Sequence, residues 1–248
     1  MRIGVFVLTV GLVACGSDSP TGPSSRPLTR TETSAHYTFH TTDTDRVDVV
    51  RQEAFHDWVL PQLGVSSDRT LHYYKYVDRS HMAEITGRTT NGFAEPASFT
   101  LHSIWTFDAH EAIHVLTAVL GVPPDFFNEG IAVALNFDPL AGRFVALWNT
   151  TTVHDAARSA FASSTSMRPV SLLTSDRFQA QTNTSTYPLA GSFVGFLIDR
   201  YGEEPMNQFF RSSTGRGESE AQVRQRVINV WGKPIETLQD EWIAFLRP

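Results

Sequence analysis

The chain has little cysteine, no excess of positive charge and few long apolar runs. Its 248 residues include a single cysteine, so no disulfide can form within the chain and the fold must depend on its core. The formal net charge is −6, which gives no electrostatic support for binding nucleic acid. Hydrophobic residues make up 41% of the sequence, enough for a globular core in a chain of this length.

The N-terminal segment is apolar after Arg2, but it is too short to cross a bilayer as a helix and is typical of a secretory signal. It ends in Leu12-Val13-Ala14-Cys15, which resembles the lipobox of bacterial lipoproteins. The resemblance implies a signal peptide over residues 1–14, a lipid anchor at Cys15 and attachment to a membrane of the cell envelope. Gly16 favours the outer membrane or cell surface. An ordinary signal peptide with an incidental cysteine is the alternative.

Residues 15–34 are rich in Ser, Thr, Pro and Gly and show no hydrophobic period, which predicts a flexible tether. The folded domain is expected over 35–248, with a strand-containing lobe over 35–107 and a helical lobe over 108–248. Strands are predicted in 35–41 and 69–77, separated by a helix, and 92–106 predicts a strand pair turned at Glu95-Pro96. Helices are predicted over 109–120, 125–135, 154–162, 188–201, 204–211, 218–231 and 235–246. The expected fold class is α+β.

The segment His110-Glu111-Ala112-Ile113-His114 is an HExxH motif at a position where a helix is expected independently, since Asp108 is a good N-cap. Residues four apart on a helix lie about 40° apart around its axis and about 6 Å along it, so both imidazoles can reach one metal ion. Glu111 emerges about 100° further round than His110. Its carboxylate would therefore lie beside the open position of the metal and could accept a proton from water.

A third ligand is offered by Glu129, at the start of the next predicted helix. A turn from Gly121 to Pro124 would let that helix lie back across the first. Two histidines and a glutamate that leave one position open are typical of catalytic zinc, so Zn²⁺ is the predicted cofactor. The alternatives are packed or surface histidines at His110 and His114, and at Glu129 a carboxylate favoured by the helix dipole.

The sequence HEAIH followed by FFNEGIA resembles the gluzincin metallopeptidases, and NEGIA is similar to a stretch of the aminopeptidase N family. The segment from Tyr187 to Gly202 resembles the helix that follows in the peptidase-MA-like group. The resemblance covers Gly92 to the C-terminus. It implies a zincin-like metallopeptidase fold and zinc-dependent hydrolysis of peptides or proteins, with His110, His114 and Glu129 as ligands and Glu111 as general base.

Two departures limit what the resemblance implies. The GxMEN signature of the aminopeptidase N family is absent, and Gly92-Phe93-Ala94-Glu95-Pro96 is only weakly similar to it. Aminopeptidase activity is therefore not supported. Val133 stands where thermolysin-like enzymes have an aspartate that orients a ligand histidine. A polar partner for the ligand histidines must therefore come from elsewhere in the chain.

Hydrolysis also needs a donor to the oxyanion, and the candidates are Tyr187 and His154. The resemblance favours Tyr187 as a catalytic residue, with a packing tyrosine as the alternative. The remaining histidines lack ligand spacing and are expected to be structural: His36, His40, His56, His72, His81 and His102.

Before the metal-binding motif, Phe99, Leu101, Trp105 and Phe107 share one face of a predicted strand. In zincins the strand before this helix pairs with extended substrate, which is one interpretation here; an ordinary sheet strand is the other. Two further functions compete with the peptidase. One is a catalytically silent zincin-fold lipoprotein that acts as an envelope binding or assembly factor. The other is a structural metal site, which the open coordination position disfavours.

Overall fold

The computed structural model describes residues 26–142, 146–163 and 167–247, and it is an α+β structure with a small mixed sheet and many helices. The signal segment and Cys15 lie outside the described residues. The strands are β1 (Arg30–Thr33), β2 (Tyr37–Thr41), β3 (Leu71–Lys75), β4 (Gly92–Glu95), β5 (Thr100–Ser103), β6 (Leu147–Trp148) and β7 (Thr151–Thr152). The helices are α1 (Val49–Leu63), α2 (Arg79–Thr86), α3 (Ala109–Thr117), α4 (Asp125–Ala134), α5 (Val153–Ser163), α6 (Ser175–Gln179), α7 (Asn183–Tyr201), α8 (Glu203–Arg211), α9 (Glu220–Trp231) and α10 (Ile235–Leu246).

The first five strands form one sheet in the order β1-β2-β3-β5-β4. Strands β2, β3 and β5 are parallel, whereas β1 and β4 are antiparallel to their neighbours. Tyr37, Phe39 and Tyr73 are buried on one face of the sheet, as period-two alternation requires. The predicted strands at 35–41 and 69–77 are confirmed, and so is the strand pair turned at Glu95-Pro96.

The sheet begins earlier than the sequence predicts. Residues Arg30–Thr33 form strand β1 and pair with β2, and Arg26 forms ion pairs with Asp78 and Glu84. The prediction of a tether through residue 34 is therefore wrong for this part of the chain. The sequence RTET contains no apolar residue, so hydrophobic periodicity could not reveal a strand that is held by its backbone at the edge of the sheet.

The strand that precedes the HExxH motif is not an edge strand. Strand β5 lies between β3 and β4, so both of its backbone edges are already paired. The interpretation of this strand as a substrate-binding edge is therefore wrong. The hairpin at Glu95-Pro96 places β4 outside β5, and β4 is the edge strand next to α3, which carries the HExxH motif.

Every helix predicted after Asp108 is confirmed, with ends that differ by a few residues. Helices α4 and α7 pack closely because Gly130 and Gly191 face the opposite helix. A Cβ atom at Gly130 would lie 2.6 Å from Val194 Cγ2, and one at Gly191 would lie 2.3 Å from Val133 Cγ1. These glycines set the spacing of two helices that both contribute to the candidate site.

One hydrophobic core runs through both predicted lobes, from Tyr37 on the sheet to Leu246 in α10. The residues before and after Asp108 are therefore packed together, and the second half also contains the two short strands β6 and β7. None of the helices in the described ranges combines the length and apolar character needed to cross a membrane.

Candidate metal centre

The geometry of α3 directs the HExxH motif toward α4. Asp108 caps the helix, since its Oδ1 atom accepts a hydrogen bond from the backbone N–H of Glu111 at 3.0 Å. The rings of His110 and His114 lie 4.8 Å apart with an interplanar angle of 84°. One helical turn therefore places both imidazoles on the same face.

Three side-chain atoms converge between α3 and α4. The Nε2 atoms of His110 and His114 are 3.2 Å apart, and each lies 3.2 Å from Oε2 of Glu129. The side chains of Glu129 and His114 are each 10% exposed, and that of His110 is 20% exposed. In the part of the chain that the structure describes, this is the one group of three or more His, Cys, Asp or Glu residues that could hold a metal ion.

The carboxylate of Glu129 is ionised at the point where the three side chains meet. Burial by itself would raise the pKa of Glu129, but the charge of His114 and hydrogen bonds from both histidines outweigh burial and hold the pKa well below its usual range. Glu129 therefore remains ionised at the point where the two imidazoles meet. A metal ion bound there would be attracted by the same carboxylate.

Glu111 is half-buried next to the three candidate ligands. Burial, reinforced by the charge of Asp108, raises the pKa of Glu111 to about 8. Gly92 in β4 makes room for this carboxylate, because a Cβ atom there would lie 2.9 Å from Glu111 Cγ and 3.1 Å from Oε1. The edge strand and the glutamate are thus in direct contact.

The contact that the sequence did not reveal is made by Asn128. Its amide nitrogen, Nδ2, lies 3.3 Å from Nδ1 of His114, on the side of the ring opposite Nε2. A 180° turn of the amide exchanges Nδ2 with Oδ1, and Asn128 would then accept a hydrogen bond from Nδ1–H and direct the lone pair of Nε2 toward Glu129. In that orientation Asn128 would fill the role for which Val133 is unsuited. Its position next to Glu129 in the FFNEGIA segment is the one sequence signal that could have identified it.

The two candidates for the oxyanion donor lie in different places. Tyr187 lines the same pocket as the three ligands, and its ring stacks on His110 with centroids 6.1 Å apart. Burial, together with the charge of Glu129, raises the pKa of Tyr187 above its usual range, so its hydroxyl keeps the proton. His154 lines a second cavity, and its Nδ1 lies 2.9 Å from Oγ of Ser192.

The pocket around the ligands encloses about 250 Å³. Strand β4 forms one wall through Gly92, Phe93 and Ala94, and α4 and α7 form the other through Asn128 and Tyr187. Its rim carries two basic side chains, Arg88 and Arg216. We call this pocket the metal cleft.

The histidines that were expected to be structural stay out of the metal cleft. His40 and His72 lie on the sheet, where Nε2 of His40 is 3.2 Å from Nδ1 of His72. Nδ1 of His102 shares a hydrogen bond with the hydroxyl of Tyr76 at 2.8 Å. His56 is fully buried against Tyr37.

Comparisons with known proteins give no family assignment. No protein-family model matches the chain, and a search of curated proteins finds no match to it.

Proposed function

We propose that this chain is a zinc-dependent metallopeptidase of the gluzincin type, with a zincin-like fold, that hydrolyses peptide bonds. The observation that carries the proposal is the separation of 3.2 Å between each pair of the three ligand atoms. A tetrahedral zinc ion with bonds of about 2.0–2.1 Å sets its ligand atoms about 3.3 Å apart. Two imidazole nitrogens and one carboxylate oxygen are also the donors that catalytic zinc prefers.

A zinc ion in this site would act as a Lewis acid that activates water and polarises the scissile carbonyl. Glu111 lies beside the ligands, held in place by the backbone of α3 and by contact with Gly92. We assign it as the general base, which takes a proton from the attacking water and passes it to the leaving amine. The hydroxyl of Tyr187, which keeps its proton, donates to the oxyanion as negative charge develops.

Strand β4 is suited to bind the substrate backbone. The N–H of Ile104 donates to the carbonyl of Asn91, in register with the β4–β5 pair. By the alternation of an antiparallel ladder, Phe93 also pairs with β5, while Gly92 and Ala94 turn their backbone groups outward, where both residues line the metal cleft. An extended peptide that pairs with this edge would lie across Glu111.

We further propose that the enzyme is anchored to the cell envelope by lipid at Cys15. The support for the anchor is the Leu12-Val13-Ala14-Cys15 segment alone.

The proposal is tested with purified, zinc-loaded protein and a mixed peptide library. We expect cleavage that a chelator abolishes, and we expect Glu111→Gln to keep its zinc but lose activity by about a hundredfold or more, because an amide cannot accept the proton. Glu203→Gln is the matched control, since Glu203 lines the second cavity and not the metal cleft. Zinc-loaded protein that cleaves nothing, or a Glu111→Gln variant as active as wild type, would contradict the proposal. A silent binding protein would give the first of these results.

A further inference from the structure

The metal cleft is lined by two arginines that the proposed chemistry does not use. Glu111 and Glu129 lie in the cleft and the whole chain has a net charge of −6, yet Arg88 and Arg216 both line the same cleft. Neither arginine is a metal ligand or a proton donor in the proposed reaction. Two guanidinium groups in the same cleft suit a ligand with negative charge.

The guanidinium of Arg88 stacks on the aromatic ring of Phe93. Its central carbon lies 4.3 Å from the centroid of the Phe93 ring, and Phe93 stacks in turn on His102 at 4.2 Å. In the described ranges no ion pair links Arg88 to a carboxylate. The stacking fixes the plane of the group while its N–H edges stay free to donate. Because Phe93 belongs to β4, the free edges lie beside the strand proposed to bind the peptide.

Arg216 is positioned from the other wall. Its Nε atom lies 3.3 Å from Oδ1 of Asp125 at the start of α4, and its backbone carbonyl accepts a hydrogen bond from Ser175 at 3.1 Å. Asp125 is itself held by Gln179, whose Nε2 donates to Oδ2 at 2.7 Å. The ion pair engages Nε and leaves the terminal nitrogens of Arg216 available to a ligand.

We propose that the metal cleft selects peptides that carry a carboxylate near the scissile bond, and that Arg88, with Arg216, binds this carboxylate. The proposal rests on the proposed peptidase function and names its substrate class. A carboxylate is planar and accepts two parallel N–H bonds from one guanidinium, which suits the fixed plane of Arg88. The carboxylate can belong to an acidic side chain or to the peptide's C-terminus, since the chemistry is the same.

The test uses three alanine-rich peptides: one amidated with a central Glu, one amidated with a central Gln, and one with a central Gln and a free C-terminal carboxylate. Their Kd values are measured by calorimetry on zinc-loaded Glu111→Gln protein, which should cleave them too slowly to affect the titration. We expect at least one carboxylate peptide to bind about tenfold or more tightly than the neutral one, as a charge-assisted hydrogen bond provides. The peptide that gains shows which carboxylate is recognised. The same ranking is expected in kcat/KM with the wild-type chain.

Arg88→Gln is added to the Glu111→Gln protein and should bring the Kd of the neutral peptide close to that of the carboxylate peptides. Arg88→Glu should make the carboxylate peptides the weakest ligands. Arg69→Gln is the matched control, because Arg69 stacks on Phe99 at 4.4 Å but does not line the cleft. It should keep the wild-type preference. The proposal is overturned if the neutral peptide binds as well as the other two, or if the preference survives in an Arg88→Gln, Arg216→Gln double variant.

Failure of this proposal and failure of the peptidase function give different results. If the wild-type chain cleaves all three peptides with equal kcat/KM, carboxylate selection is wrong and the peptidase stands. If no peptide is cleaved but binding depends on Arg88, the peptidase is wrong and carboxylate recognition by the cleft stands.

Discussion

Two cavities border the packed helices α4 and α7, and they differ in size and in how their polar groups are arranged. The metal cleft encloses about 250 Å³ at the Glu129 end of α4, whereas the second cavity encloses about 830 Å³ at the Leu135 end. The second cavity also contains titratable groups, since His154, Asp199 and Glu203 line it. Volume and the presence of histidine and carboxylates therefore do not identify which cavity could bind a metal ion.

The two cavities differ in whether their polar atoms converge on one point. In the metal cleft three ligand atoms lie 3.2 Å from one another and are largely shielded from water. In the second cavity the Nδ1 atom of His154 is engaged by Ser192, and Asp199 and Glu203 are exposed. A metal site requires lone pairs that point to one position, and the cleft alone meets this requirement in the part of the chain that the structure describes.

The largest effect that separates the cavities should come from their two oxyanion candidates. Tyr187→Phe removes a hydroxyl that lies in the metal cleft, so we expect kcat to fall about a hundred- to thousandfold, or roughly 3–4 kcal/mol, with KM nearly unchanged. His154→Ala should leave kcat near wild type, because His154 faces the other cavity. Steady-state kinetics on a cleaved peptide provide the measurement. A normal kcat in Tyr187→Phe together with a strongly lowered kcat in His154→Ala would assign the oxyanion donor to His154.

A smaller effect is expected from the buried amide of Asn128, which contacts His114. Asn128→Ala removes this contact and should weaken zinc binding about ten- to a hundredfold, the usual cost of losing such a partner. Gln62→Ala is the matched control, because Gln62 also carries an amide but lines the second cavity. It should leave the zinc affinity unchanged. Competition with a chromogenic chelator measures both affinities. Equal zinc affinity in Asn128→Ala and wild type would show that the contact does not orient the ligand.

The smallest effect concerns the packing that brings α4 and α7 together. Gly191→Ala would place a methyl group 2.3 Å from Val133 Cγ1, and we expect overpacking to cost about 1–3 kcal/mol of unfolding free energy. Gly195 lies one turn further along α7, where a methyl group would meet nothing closer than 3.7 Å. Gly195→Ala should therefore be neutral or stabilise by up to about 1 kcal/mol. Denaturant unfolding of metal-free protein gives both values; equal stabilities would contradict the packing argument.

The sequence predicted the parts of this structure that carry a strong local pattern. Helical periodicity located the long helices, and the spacing within the motif placed His110 and His114 on one helical face with Glu111 beside them. Glu129 was inferred from its place at the start of the next helix, and the structure brings its carboxylate to both histidines.

The remaining features depend on tertiary contacts that leave no local pattern. Strand β1 has no apolar residue, and α2 and α6 are too short for periodicity to stand out. The order of β4 and β5 is fixed by which strand pairs with β3, which alternation cannot reveal. Arg88 and Arg216 are far apart in the sequence, and only the fold brings both to the metal cleft.

The most direct test of the central claim is the metal content of purified protein after zinc loading and removal of free ion. We expect about one zinc per chain in the wild type and in His154→Ala, and little in His114→Ala, because three converging ligands hold the ion and two do not. Far-ultraviolet circular dichroism serves to show that each variant is folded. Equal zinc in folded wild type and folded His114→Ala would contradict the assignment of His110, His114 and Glu129 as the metal centre.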